Sequence, residues 1–244
     1  MADFFSLYEG IIDAVPRGLR VTETCRGERW SMAFNEKNAA VGMFTPGSSI
    51  LPLFPLGLNG LEVRRAAEGI KSWNFEEASM ALAAVNSALN TEERVSALHA
   101  EDSMDRYYTH GLDFKGKTVG LIGHLNGPPE MRRDAKTVYT LEKAPQEGDY
   151  PDSACEYLLP RCDIVLITGS SLVNKTLPRL LELCRDAYTV VTGPSTPMCP
   201  ALLELGIDRL AGLVITDPDG MRAHAAQARD GSPYPFGKPF MLAK

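Results

Sequence analysis

Hydrophobic and polar positions change period several times along this chain, and each change predicts an element. Phe4, Leu7, Tyr8, Ile11, Ile12 and Val15 recur at helical spacing, with Asp3 placed to cap the start and Pro16 after the end. From Gly18 the period drops to two: Leu19, Val21 and Cys25, then Trp30, Met32 and Phe34, alternate with polar residues across the turn Arg26-Gly27-Glu28. This predicts a β-hairpin, with Ala39 to Phe44 as a third antiparallel strand after Asn35-Glu36-Lys37-Asn38. Thr45 to Leu61 is rich in Pro and Gly and predicts a long irregular connection. Leu61 to Ile70 predicts a short helix. Asn74, with Glu77 three residues on, forms a capping-box pattern at the head of a longer one. In that helix Ala81, Ala84 and Ala88 make a thin face, and Asn86 lies among them.

The second half alternates strand with helix. Strands are expected at Lys117 to Ile122, Thr137 to Leu141, Asp163 to Ile167, Tyr188 to Val191 and Leu210 to Ile215. Leu172, Leu177, Leu180, Leu181 and Cys184 then predict a helix after the third strand, Ala201 to Leu205 one after the fourth, and Met221 to Ala228 a last one, with the tail PYPFGKPF irregular. The expected fold is therefore α/β. A C-terminal domain with a mostly parallel sheet, residues 109–244, follows a smaller α+β domain, residues 1–108, with the boundary near Asp102 to Lys115.

Two turns stand out. The third strand ends in Thr168-Gly169-Ser170-Ser171, and the fourth in Thr192-Gly193-Pro194-Ser195-Thr196-Pro197. If the strands are parallel, both turns share one edge of the sheet, where open α/β sheets bind ligands. Hydroxyls, amides and glycine-flanked backbone N–H groups can surround a polar or anionic molecule. The candidate ligand residues are Thr168, Gly169, Ser170, Ser171, Asn174 and Thr176, with Gly193, Pro194, Ser195 and Thr196. Each also has a local use, because Ser, Thr and Asn are common cap and turn residues.

Composition narrows the partner. The net charge is −6 with no Lys/Arg cluster, which argues against nucleic acid or an anionic membrane surface. No apolar run reaches the roughly 20 residues of a spanning helix. Five cysteines without a C-x-x-C pair suit a reducing, cytoplasmic setting. The expected partner is a small molecule, with no nucleic acid and no membrane; a homo-oligomer is compatible with the sequence.

No nucleophile and base can be paired by spacing, and no His or carboxylate pattern has metal-ligand spacing. The cofactor is therefore left unknown and catalysis open. His124, in the turn Gly123-His124-Leu125-Asn126-Gly127 after the first strand of the second half, is the first candidate for acid–base work, and Glu36 the second. That turn lacks a strict G-x-G-x-x-G, yet Glu142 follows it by roughly 20 residues, where many Rossmann domains keep a ribose-binding acid.

The segments TGSSLVNKTLPRLLEL and VVTGPSTPMCPALLELGIDRLAGLVITD, the latter reaching Asp217, resemble the heavy-metal chelation domain family, a family of unknown function. WSMAFNEKNAAVGM and ALAAVNSALN are similar to the N-terminal domain that accompanies it. The resemblance implies an enolase-N-terminal-like domain and a Rossmann-like domain enclosing a cleft. Asn86 and Glu36 would reach that cleft from the first half, and Gly123 and Asp217 would join the two turns. It implies a ligand that is a metal-chelating metabolite or its precursor. Two alternatives stay open: a nucleotide- or S-adenosylmethionine-dependent enzyme using Gly123 and Glu142, and a metal carrier using Cys199, His124 and carboxylates.

Overall fold

The computed structural model describes residues 5–46, 50–102, 109–125, 127–226 and 231–244. Helix α1 (Ser6–Ala14) begins the described chain, and the expected Asp3 cap lies outside it. Strands β1 (Val21–Arg26), β2 (Trp30–Asn35) and β3 (Ala39–Met43) form the expected antiparallel meander, ordered β1-β2-β3. Helix α2 (Val63–Ala66) continues as a 3-10 turn, Ala67–Lys71, and leads to α3 (Phe75–Leu89).

Asn74 caps α3 by accepting the Glu77 N–H at 3.0 Å. The reciprocal half of the capping box is missing, because the Glu77 carboxylate accepts the N–H groups of Leu53 and Phe54 at 2.8 and 2.7 Å. A residue expected to close its own helix end instead anchors the proline-rich connection.

The small residues of α3 let it lie close on the meander. A Cβ added at Gly42 of β3 would stand 2.4 Å from the Ser79 carbonyl oxygen, a backbone atom that cannot swing away. Gly42→Ala should therefore destabilise the protein by about 1–3 kcal/mol, read as a lower urea midpoint at unchanged m-value.

Helix α4 (Glu92–Ala97) and strand β4 (Glu101–Asp102) follow. The rest comprises β5 (Thr118–Ile122), α5 (Pro129–Asp134), β6 (Thr137–Glu142), β7 (Tyr150–Pro151), α6 (Cys155–Leu158), β8 (Ile164–Thr168), α7 (Leu177–Leu183), β9 (Tyr188–Thr192), α8 (Pro200–Leu203), β10 (Arg209–Ile215), α9 (Pro218–Ala226) and β11 (Gly237–Ala243). One eight-stranded sheet runs β4-β11-β10-β9-β8-β5-β6-β7. Its centre is parallel, and β5 and β6 lie in reversed order beside β8, so the topological switch falls between β5 and β8.

Two expectations change. The tail expected to be irregular forms β11, paired antiparallel with β10 from Arg209↔Ala243 to Ile215↔Gly237. Alternation explains it, since Phe240 and Leu242 pack into the main core while Pro239 sits at a strand position with no long-range pattern to announce it. The continuous helix expected after β8 is broken. A 3-10 turn, Gly169–Leu172, gives way to a loop in which Lys175 takes φ +65°, and α7 starts only at Leu177.

Both faces of the parallel sheet are covered, as the apolar run of β8 requires. Val165 and Ile167 join a core shared with α1, α3, α7 and α8; Ile164 and Leu166 face a second cluster with Phe114, Val119, Leu121 and Met131. The two halves thus share one apolar cluster. Of the segment Asp102 to Lys115, where the boundary was expected, residues 103–108 lie outside the described residues. No described helix is long and apolar enough to cross a membrane.

Candidate functional site

Parallel pairing of β8 with β9 brings Thr168 and Thr192 opposite each other, so both hydroxyl-bearing turns leave the sheet at one edge. Their surroundings then differ. The first turn lines a cavity of about 840 Å3 at the carboxyl ends of β5, β6 and β8. The second is packed under α3 and β3.

The cavity is framed by Ile122 and Gly123 after β5, Leu141 and Glu142 at the end of β6, and Thr168, Ser170 and Ser171 after β8. Asn174, Lys175 and Thr176 continue the wall, Arg179, Leu180 and Leu183 of α7 close one side, and Met43 to Pro46 enter from the meander. Most of the surface it exposes is apolar, and the polar side chains gather at the strand ends, in the loop after β8 and at the rim, an arrangement a small-molecule site can use. Its volume falls in the range of about 300–1,000 Å3 that such sites occupy.

Thr168 starts the first turn by pairing its Oγ1 with Ser170 Oγ at 3.0 Å. Ser171 is 1% exposed, and its Oγ has no partner among the described residues. Asn174 Oδ1 accepts the Thr176 N–H at 3.2 Å and the Thr176 hydroxyl at 2.6 Å, an Asx turn that fixes the loop. The Asn174 amide NH2 is left without a partner among the described residues.

In the second turn Ser195 Oγ accepts the Met43 N–H at 2.7 Å. Asn86 Nδ2 donates to the carbonyls of Val41 and Ser195, and Asn90 Nδ2 to those of Thr196 and Leu213. Asn90 Oδ1 also accepts the Met198 N–H at 2.8 Å. Gly193, Pro194, Ser195, Thr196 and Asn86 are therefore outside the cavity wall, and they brace it. A Cβ at Gly169 would stand 2.6 Å from Thr196 Oγ1, so a glycine is needed where the turns touch.

The other candidates lie apart. Glu36, on the β2–β3 turn, is exposed and accepts the Arg20 N–H, which holds its carboxyl below its ordinary value. Asp217 caps α9 through the Gly220 N–H. His124 Nε2 lies 2.6 Å from Asp149 Oδ2, and this contact holds the Asp149 carboxyl low. The His124 side chain does not line the cavity, but its backbone N–H donates to Glu142 Oε1. Asn126 lies outside the described residues.

Several wall residues carried no sequence signal. Lys143 and Arg179 form ion pairs at the rim, with Asp152 at 3.7 Å and with Glu156. Those contacts join segments remote in sequence, so no local pattern could show them. Lys175 is 5% exposed, with Nζ donating to the Val173 carbonyl at 2.8 Å and lying 5.4 Å from the Tyr8 ring. Its positive φ is invisible in a run that reads as helix.

A directly bound metal does not fit these residues. Among the described residues no group of three or more His, Cys, Asp or Glu could hold a metal ion. Burial pushes the Cys155 thiol, on the cavity wall, and that of Cys162 up to about 11 and Cys184 up to about 12. They stay protonated at neutral pH in the metal-free protein. Cys199 is fully buried and its thiol is also raised.

Comparison with known proteins agrees with the fold. Two family models, both described as "Putative heavy-metal chelation", match residues 8–89 and 110–237. A crystal structure of a protein of unknown function from Desulfitobacterium hafniense DCB-2 is 34% identical, with a TM-score of 0.86 over 99% of this chain and 98% of that one. A second, from Pyrococcus horikoshii, has a TM-score of 0.75 over 99% of this chain and all of that one; at 18% identity it shows the fold alone. An uncharacterized protein of Methanocaldococcus jannaschii is 28% identical over 110 residues, 42% of each chain. The two models meet on either side of the segment that joins the meander half to the parallel sheet, and this chain belongs to the family they describe, "Putative heavy-metal chelation".

Proposed function

We propose that the cavity takes up a small organic molecule, a metal chelate or the precursor of a chelator, so that the molecule's own donor atoms and not the protein's hold the metal. The observation that carries this reading is a roomy cavity at the sheet's switch point whose wall sets Ile122, Leu141 and Leu180 beside the polar side chains of Glu142, Thr168 and Asn174. The lack of a metal-holding side-chain group among the described residues favours an organic ligand over a bare ion. Met43 to Pro46 give the meander half a share in the wall, so both halves would contact the ligand.

The test is ligand recovery. Protein purified from its own cells is denatured and the released small molecules are identified by mass spectrometry, with metal measured in parallel. Wild type should yield one organic species near stoichiometry. Leu183→Trp, which fills the cavity from α7, should yield less than a tenth of it. Asn174→Asp keeps the acceptor of the Asx turn but loses the free NH2, and should release the species at least partly while its melting temperature holds. Identical extracts from wild type and Leu183→Trp would refute the reading, as would a stoichiometric bare metal with no organic species.

A further inference from the structure

We infer that Glu142 grips the vicinal hydroxyls of a ribose, which makes the cavity's ligand a nucleoside-bearing molecule held without a pyrophosphate cradle. This rests on the reading above that the cavity is a ligand site and adds the class of ligand.

Glu142 ends β6, one position after the Ile122↔Leu141 pair that aligns β6 with β5. Its Oε1 accepts the His124 N–H at 3.0 Å, with the His124 Nδ1 at 3.5 Å, and its Oε2 accepts the Lys143 N–H at 2.9 Å. Backbone amides on both oxygens set the plane of the carboxylate. About four acceptor positions belong to an ionised carboxyl, so capacity remains. The side chain lines the cavity and is 23% exposed, which leaves that capacity open to a ligand. Two fixed oxygens match two neighbouring O–H donors, the pattern of a vicinal diol, and an acid at this strand end performs that role in dinucleotide-binding domains.

Gly123 keeps the adjoining space clear. It has φ +99°, and an added Cβ would lie 3.3 Å from the Thr168 side chain and 3.8 Å from Glu142 Oε1. Any larger residue would intrude between the strand ends where the sugar would enter.

The phosphate half of such a site does not fit. A pyrophosphate rests on the free amides that open the helix after the glycine turn. Here that helix is α5, six residues long, with Pro128 at its cap and Pro129 at its first position. Neither has an N–H to donate. The Met131 side chain also fills the space beside Gly127, with Cε 2.1 Å from an added Cβ. Ile122, Leu141 and Leu180 supply an apolar wall suited to a planar base.

Calorimetric titration of the full chain with adenosine, guanosine, cytidine and uridine, their 2′-deoxy counterparts and NAD tests this. At least one ribonucleoside should bind, and removing its 2′-hydroxyl should weaken it about tenfold or more, the effect of losing a charge-assisted hydrogen bond. NAD should bind no tighter than the nucleoside. Glu142→Gln should weaken the ribonucleoside more than the deoxynucleoside, which keeps only the 3′-hydroxyl, and so narrow the gap between them; if that variant does not fold, the comparison on wild type decides. No binding at millimolar concentration, or equal binding of ribo and deoxy forms, overturns the assignment. If nucleosides fail while Leu183→Trp still empties the cavity of its cellular species, the role of Glu142 falls alone; if both fail, the cavity reading falls with it.

Discussion

Replacing Lys175 with Met should stabilise the protein by about 2–3 kcal/mol at pH 6, a gain that shrinks steadily as the pH rises. The amine is buried, and no carboxylate pairs with it among the described residues. Burial alone lowers its pKa from 10.5 to about 7. The folded state therefore releases this proton some pH units before the unfolded chain does. Below about pH 7 the folded protein bears the full cost of an ammonium out of water. Between pH 7 and 10.5 the unfolded chain binds more protons, so wild-type stability climbs with pH, and above 10.5 the cost is gone.

Methionine keeps the stem's volume and removes the charge. It also forfeits the bond to the Val173 carbonyl, which lowers the net gain by about 1 kcal/mol. The Leu172 carbonyl keeps its bond from the Tyr8 hydroxyl. Urea unfolding of both proteins from pH 6 to 10 measures the difference. A stability gap that stays flat across that range would mean that the amine is not titrating in the fold.

Asn90→Ala should cost about 3–5 kcal/mol, the largest loss expected from one polar side chain here. Asn90 is 1% exposed and ends α3, and it alone satisfies the Thr196 and Leu213 carbonyls and the Met198 N–H from the helix side. Alanine leaves these three buried groups without their side-chain partner. The second turn would loosen, and through the contact of Gly169 with Thr196 so would the cavity wall. Chemical denaturation gives the number, and a loss below 1 kcal/mol would show that the turn finds other partners.

What the sequence reveals follows the range of each interaction. The alternation from Val21 to Phe34 and the doubly apolar run of β8 report short-range burial, and both became the expected strands. Asn74 capped its helix because a cap is a matter of three residues. Glu77 shows where such reasoning stops, since its local pattern is correct and its carboxylate serves a segment more than twenty residues away. The two hydroxyl-rich turns were legible as a pair, because strand ends and polar residues coincide. Which of them opens to the cavity was not, because α3 decides that, and nothing around Ser195 records that Asn86 and Asn90 will cover it. Lys175 has the same cause: a lysine between Asn174 and Thr176 looks solvated until Tyr8 and Phe75 arrive from the first half.

Strand β11 lies between β10 and β4, antiparallel to both. During translation β4 leaves the ribosome long before the residues that will join it to the sheet, a delay on the order of ten seconds at ordinary elongation rates. The nascent first half therefore waits with that segment undocked until β11 has been made and can pair with it.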